Sequence, residues 1–124
     1  MTKSLFLLLG LMIITSAGTK AQFANTSWKG MYKVTDPTEM ILQFKNDTLY
    51  LNDPANGTIV ETMNYKISGD TLTIVKISGS SSCDDEKGVY KISTKDDKLF
   101  MTLIEDNCYD RSAAMPDDPL VKVE

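Results

Sequence analysis

Apolar and polar residues alternate along most of residues 28–123, and turn-forming pairs such as Asn-Asp and Gly-Asp interrupt the alternation at short intervals. A repeat of two is that of a β-strand, in which successive side chains point to opposite faces. The pattern predicts strands at residues 28–34, 39–45, 48–52, 59–67, 71–77, 88–93, 98–104 and within 120–123. The chain is therefore predicted to be all-β, with about eight strands.

Three tight turns predict how neighbouring strands pair. Two-residue loops are placed at residues 46–47, 69–70 and 95–96, and each loop brings apolar side chains opposite one another. The facing pairs are Phe44 with Leu49 and Leu42 with Leu51, Tyr65 with Ile74 and Ile67 with Leu72, and Tyr90 with Met101 and Ile92 with Leu99. A slip of one residue would turn each apolar set to the opposite face, so the agreement supports the register.

Short strands joined mostly by tight turns favour an antiparallel up-and-down meander. Closing the meander into a small barrel removes the exposed edges of an open sheet, and a two-sheet sandwich is the alternative. The side chains expected to face inward are Met40, Leu42, Phe44, Leu49, Leu51, Met63, Tyr65, Ile67, Leu72, Ile74, Tyr90, Ile92, Leu99, Met101 and Leu103.

The N-terminal residues have the three parts of a secretory signal peptide. Lys3 supplies the positive charge, residues 5–14 form the apolar core, and small and polar residues lead to a cleavage site after Ala21, with Ala17 as the alternative site. The apolar core is shorter than the about 20 residues of a spanning helix. We therefore expect a signal peptide at 1–21, one domain at 22–124 with no membrane span, and a secreted or periplasmic location.

Both cysteines, Cys83 and Cys108, lie in the expected mature domain. In an oxidising compartment two cysteines in a small domain predict a disulfide, and two free buried thiols are the alternative. The register set by a loop at 95–96 places the two cysteines opposite each other beyond the ends of their strands. This coincidence favours the disulfide.

Composition excludes several functions. The formal net charge is −4, and loss of two lysines with the signal peptide leaves −6, so nucleic acid is not an expected partner. The chain has no histidine, and a disulfide would remove both thiols, which excludes histidine-based triads, thiolate catalysis and zinc sites built from histidine or cysteine. We expect no catalytic residues, no cofactor and no enzyme activity.

One acidic cluster is a weak candidate for Ca²⁺. On the register of the 95–96 loop, Asp85 faces Asp106 and Glu86 faces Glu105, and a bound hard cation would relieve the repulsion. The favoured interpretation is that these segments separate into water. No metal site is therefore expected.

Two motifs carry a family resemblance. Trp28, which is the single tryptophan, lies in the first strand of the mature domain, and Arg111 ends an Asp-x-Cys-x-x-Arg segment that begins at Asp106. Together they resemble the lipocalin (calycin) barrels, especially small secreted bacterial domains. The resemblance implies that Arg111 lies across Trp28 and closes one end of the barrel, and that a small apolar ligand binds at the barrel mouth.

Two functions are compatible with such a barrel. In the first, a small hydrophobic ligand contacts inward residues, with the candidates Met40, Phe44, Met63, Tyr65, Tyr90 and Met101. In the second, a solid-core interaction or inhibitor-type module acts through its loops and acidic surface. Because many inward side chains are large, we expect a filled interior with a shallow cleft at the mouth, and hydroxyls of Tyr65 and Tyr90 that lie near the mouth or are hydrogen-bonded. The enclosed volume distinguishes the two functions.

Overall fold

A computed structural model describes residues 20–124, and its strands follow the predicted pattern. The strands are β1 (Thr26–Lys33), β2 (Pro37–Phe44), β3 (Thr48–Asp53), β4 (Thr58–Ser68), β5 (Thr71–Gly79), β6 (Lys87–Lys95), β7 (Lys98–Asp106) and β8 (Leu120–Val123). Two short helices, α1 (Lys20–Phe23) and α2 (Tyr109–Ala114), precede β1 and β8. The expected signal peptide lies outside the described residues except for residues 20 and 21.

The eight strands form one closed barrel in meander order, with each strand antiparallel to the next. β8 closes the barrel by pairing with both β1 and β7, and Trp28 faces Lys122 across the β1–β8 pair. The all-β prediction and the barrel are confirmed, and the sandwich alternative is wrong. Closure satisfies the backbone groups that two free edge strands would expose.

The predicted register is confirmed in two hairpins and wrong in the third. Phe44 pairs with Leu49 across β2–β3, and Tyr65 pairs with Ile74 across β4–β5, as the turns predict. In the β6–β7 hairpin Lys95 pairs with Lys98, so the loop is residues 96–97 and not 95–96. Both loop residues have positive φ, at 53° and 58°. The two-residue turn that matches strand twist needs positive φ at both positions, and Asp tolerates it better than Lys.

An aromatic cluster fills one end of the barrel, which we call the closed end. It lies beside the turns at 46–47, 69–70 and 96–97 and consists of Phe23, Trp28, Phe44 and Tyr65. The ring centroids of Phe23 and Phe44 are 5.3 Å apart, and those of Phe44 and Tyr65 are 5.2 Å apart in an edge-to-face arrangement. All four side chains are buried. Aromatic pairs with this geometry add to the stabilisation from burial.

The other end, which we call the open end, carries α2 and the loop at residues 80–86. The disulfide between Cys83 and Cys108 joins that loop to the residue before α2, with Cα atoms 5.6 Å apart. The predicted bridge is confirmed, but its register argument is wrong. The β6–β7 ladder pairs Gly88 with Asp106, and its extension would place Cys108 opposite Glu86.

The expected inward set forms most of the core. Eleven of its members are buried, and Leu51, Ile67 and Met101 are partly buried and pack against them. Leu103 is the exception, because it is 52% exposed. β7 continues to Asp106, whereas β8 pairs with only two residues of β7, Lys98 and Leu99. Leu103 therefore has no neighbouring strand on the β8 side.

Candidate ligand-binding cavity

A cavity of about 350 Å³ extends from the open end into the barrel. Its walls are apolar side chains from the barrel interior, and several of these residues are almost completely buried. The wall residues are Leu42, Leu49, Leu51, Met63, Ile74 and Met101. Val60, Met115 and the serines at 80–82 also line the cavity, together with Tyr32, Val34, Glu61, Asp110, Arg111 and Ala114. The cleft expected at the mouth is therefore a cavity of this volume, while the most buried wall residues, Leu49 and Ile74, are each only 1% exposed.

The cavity follows from the uneven distribution of large side chains along the barrel. Aromatic rings concentrate at the closed end, where Phe44 packs against both Phe23 and Tyr65. The cavity walls in the open half are mainly Leu, Ile and Met side chains, and Tyr32 forms part of the wall. The number of large inward residues in the whole barrel does not show this difference between its two ends, because it ignores where each residue lies along the barrel axis.

Two of the six candidate ligand contacts line the cavity. These are Met63 and Met101, on β4 and β7. The other four are absent from the lining, and each is buried elsewhere: Met40 opposite Gly30, Phe44 and Tyr65 in the aromatic cluster, and Tyr90 beside Asp106. Sequence alternation grouped all six because a shared inward face does not tell how far along the barrel a side chain lies.

The hydroxyls of Tyr65 and Tyr90 are hydrogen-bonded, as predicted. Tyr65 donates to the carbonyl of Lys45, and Tyr90 donates to the carboxylate of Asp106. Burial raises the pKa of both phenols, and the neighbouring carboxylates Asp47 and Asp106 raise them further. Both hydroxyls are therefore neutral donors at physiological pH.

A buried ion pair between Arg111 and Asp106 forms one side of the open end. Nε and Nη2 of Arg111 donate to the two carboxylate oxygens, each at 2.8 Å, and Nη2 also donates to the carbonyl of Glu86 at 2.8 Å. Asp106 also accepts hydrogen bonds from Tyr90 and from the backbone N–H of Cys108. Burial acts to raise the pKa of Asp106, but these hydrogen bonds outweigh it and hold the pKa below its ordinary value.

A β-bulge places Asp106 in this position. Across β6–β7, Tyr90 pairs with Leu103 and Val89 pairs with Glu105, so Ile104 is an extra residue in β7. An extra residue reverses the alternation of faces beyond it. Asp106 consequently lies opposite Gly88, on the face that Tyr90 occupies. A Cβ at Gly88 would lie 2.7 Å from the carboxylate, so glycine leaves room for the ion pair.

The structure does not bring Trp28 and Arg111 together. Trp28 lies near the closed end, where its Nε1 donates to the hydroxyl of Thr26 at 2.9 Å and its ring packs 6.4 Å from that of Phe23. Arg111 lies on α2 at the open end. Trp28 lies near the start of β1, and Arg111 donates to the carbonyl of Glu86 directly before β6. The starts of β1 and β6 are at opposite ends of the barrel.

Two buried polar atoms of the lining have no hydrogen-bond partner among residues 20–124. They are the hydroxyl of Tyr32 and Nη1 of Arg111, and both residues line the cavity. Tyr32 is 3% exposed and Arg111 is 8% exposed. Burial raises the pKa of Tyr32, so its hydroxyl keeps its proton at neutral pH. An unsatisfied buried donor costs about 1–3 kcal/mol. An acceptor that reached either of these two atoms would therefore stabilise the structure.

Glu61 is a third polar residue of the lining, and its partners are within the chain. Its carboxylate accepts from the backbone N–H and the hydroxyl of Ser81, at 3.2 and 2.5 Å, and lies 3.6 Å from Nζ of Lys76. Glu61 shares the inward parity of Met63 and Tyr65 on β4. Alternation along β4 therefore indicates in the sequence that Glu61 faces inward. Alternation along β1 indicates the same for Tyr32, which shares a face with Trp28.

The structure separates the acidic residues that are the weak Ca²⁺ candidate. Asp106 is bound by Arg111, and its ladder partner is Gly88 and not Asp85. Glu105 pairs with Val89, and the carboxylate of Glu86 accepts the backbone N–H of Asp84 at 2.5 Å. Among residues 20–124, no three acidic or cysteine side chains are grouped so that they could hold a metal ion.

Comparison of the chain with protein-family models, with curated proteins and with solved structures found no match. Within the described part of the chain, no helix is both long enough and apolar enough to cross a membrane. The barrel and its cavity are therefore the features from which we infer a function.

Proposed function

We propose that this protein is a secreted, non-catalytic, lipocalin-like binding protein that holds a small apolar molecule in the cavity at its open end. The observation that carries the proposal is the cavity of about 350 Å³ with apolar walls inside the barrel. Small-molecule sites typically enclose about 300–1,000 Å³ and combine apolar walls with a few polar groups. The volume supports a small ligand.

The physical basis for binding is the removal of apolar surface from water. Side chains such as Leu49 and Ile74 line the cavity and are almost completely buried. A ligand that fills this space buries its own apolar surface and gains dispersion contacts with Leu, Ile and Met side chains. Met63, Met101 and Met115 are flexible and polarisable, which suits a lining that adapts to ligand shape.

The eight-stranded antiparallel barrel in meander order supports membership of the lipocalin-like class. The pairing of Trp28 with Arg111 gives no such support, since these residues lie at different ends. The alternative of a solid-core module acting through loops and an acidic surface does not need a cavity, and the cavity therefore favours the binding hypothesis. We therefore propose ligand binding alone.

Secretion is the part of the proposal that depends on the N-terminal segment. The proposed mature chain begins at Gln22 and retains Phe23, whose ring belongs to the aromatic cluster. Cleavage at Ala17 would also retain Lys20, whose Nζ lies 2.6 Å from Asp47. The intact mass of material exported by a host cell distinguishes the two sites, and a mass that includes residues 1–21 contradicts secretion through this signal.

The binding proposal is tested with two neighbouring variants on β4. Val60 lines the cavity, whereas Ile59 is 57% exposed and does not. N-phenylnaphthylamine, which fluoresces in apolar surroundings, is titrated into the wild-type domain, Val60→Trp and Ile59→Trp. We expect saturable binding to the wild type and to Ile59→Trp, and binding at least about tenfold weaker to Val60→Trp, because an indole fills part of the cavity.

Two results would contradict the proposal. The first is the absence of saturable binding of N-phenylnaphthylamine or of any apolar compound that competes with it. The second is equal binding by all three proteins, which would place the probe outside the cavity. Circular dichroism of each variant verifies that the barrel is intact, so that a folding defect is not read as a loss of binding.

A further inference from the structure

The polar groups of the cavity restrict which molecules can enter it. The hydroxyl of Tyr32 and Nη1 of Arg111 are the two buried atoms of the lining without a partner in residues 20–124. Nη1 can only donate, and a phenol hydroxyl donates readily. A molecule that satisfies both must therefore bring a hydrogen-bond acceptor.

The charges around the cavity are already balanced by partners within the chain. Arg111 is bound on two nitrogens by the carboxylate of Asp106, and Glu61 lies 3.6 Å from Lys76. The remaining charged residue of the lining is Asp110, whose carboxylate accepts the hydroxyl of Ser82. The lining and its ion-pair partners therefore carry one negative charge in excess, and no cation is left for an anionic ligand.

An anion would consequently lose its hydration without gaining a counter-ion. Burying a charge is costly unless it is paired, and a ligand carboxylate bound to Arg111 would also lie close to the carboxylate of Asp106. An uncharged carbonyl oxygen avoids this cost and still accepts the hydrogen bonds that Tyr32 and Arg111 offer.

We propose that the cavity selects uncharged apolar molecules that carry a carbonyl oxygen, such as ketones and esters, and that it discriminates against the corresponding carboxylates. Tyr32 and Arg111 donate to the carbonyl oxygen while the apolar part of the molecule lies against Met63 and Met101. This inference rests on the proposed function, because it names the class of ligand for the same cavity.

Three compounds of similar size test the inference: ethylbenzene, acetophenone and benzoate. Their affinities are measured at neutral pH by displacement of N-phenylnaphthylamine and by calorimetry. We expect acetophenone to bind at least about tenfold more tightly than benzoate, because benzoate must bury an unpaired charge. Replacement of Tyr32 by Phe should weaken acetophenone about threefold to tenfold, through loss of one hydrogen bond, and leave ethylbenzene unchanged.

Two control variants separate the hydrogen bond from the charge. Tyr65→Phe removes a hydroxyl that binds the carbonyl of Lys45 in the closed half, and it should leave all three affinities unchanged. Asp110→Asn removes the excess negative charge from the lining. We expect it to strengthen benzoate binding by about twofold or more, with little effect on acetophenone.

The outcomes also separate this inference from the proposed function. Binding of benzoate as tightly as acetophenone, or an unchanged acetophenone affinity in Tyr32→Phe, overturns the inference while ethylbenzene binding still supports the apolar cavity. An unchanged acetophenone affinity in Tyr32→Phe is the result expected if water, and not the ligand, binds the hydroxyl of Tyr32. Failure of all three compounds to bind overturns the proposed function as well.

Discussion

Arg111 and Asp106 form an ion pair with two parallel hydrogen bonds of 2.8 Å, and the Asp106 side chain is fully buried. The pair joins α2 to the end of β7 and thereby fixes the side of the cavity that carries Nη1. Bidentate pairs of arginine and carboxylate hold their geometry more strictly than pairs with a single contact. The ion pair therefore positions the polar part of the cavity.

Replacing Asp106 by Asn should lower the free energy of unfolding at neutral pH by about 3 kcal/mol, because it leaves the Arg111 charge buried and uncompensated. The pKa of Asp106 is lowered in the folded protein, so its contribution to stability is present above the ordinary pKa of an aspartate and is lost as the pH falls through the lowered pKa. Asp106→Asn should therefore lose less stability than the wild type on acidification through this range.

Urea unfolding at a series of pH values measures this effect. Asp118 is exposed, and Asp118→Asn serves as the matched control, with a change of no more than about 0.5 kcal/mol. An acid profile of Asp106→Asn that is parallel to that of the wild type would show that Asp106 does not titrate as the ion pair requires.

Three buried tyrosines provide a second prediction. The hydroxyls of Tyr65 and Tyr90 are hydrogen-bonded, whereas that of Tyr32 has no partner among residues 20–124. In ligand-free protein, Tyr65→Phe and Tyr90→Phe should each lower the free energy of unfolding by about 1 kcal/mol or more, while Tyr32→Phe should be neutral or stabilising. Thermal unfolding of the three variants measures this; an equal loss in all three would show that Tyr32 has a partner within the fold.

The disulfide provides a third prediction. Cys83 and Cys108 are separated by 25 residues, and the cross-link restricts the unfolded chain by about 3–4 kcal/mol on the chain-entropy account. Reduction should lower the free energy of unfolding by about that amount. The double variant Cys83→Ala/Cys108→Ala should have the stability of the reduced protein and should not respond to reductant. No effect of reductant on the wild type would contradict the contribution of the bridge.

The sequence carried enough information for the strands because local alternation and turn residues determine them. Turns with Asn-Asp and Gly-Asp placed the β2–β3 and β4–β5 registers correctly. The β6–β7 register failed because two aspartates follow Lys95, and the choice between loops depends on which residues tolerate positive φ. The disulfide was predicted correctly from composition and compartment rather than from register.

The site was less predictable because it depends on relationships between distant residues. Parity along a strand predicts that Met63 and Met101 point inward, but it gives no position along the barrel axis, so it does not separate them from Phe44 and Tyr65, which lie outside the cavity lining. The bulge at Ile104, which turns Asp106 toward Arg111, leaves no local signal in the alternation. The cavity itself results from the packing of all eight strands, and no single segment encodes it.

The central claim, that the barrel binds a small molecule inside its open half, is tested most directly by NMR of methionine methyl groups. Met63 and Met101 line the cavity, whereas Met40 is buried outside it and Met31 is exposed. Titration with acetophenone should produce saturable shifts of the Met63 and Met101 methyl signals, through the ring current of the bound aromatic molecule, and leave Met40 and Met31 unchanged. Signals of Met63 and Met101 that do not move, or that move no more than that of Met31, would contradict the account.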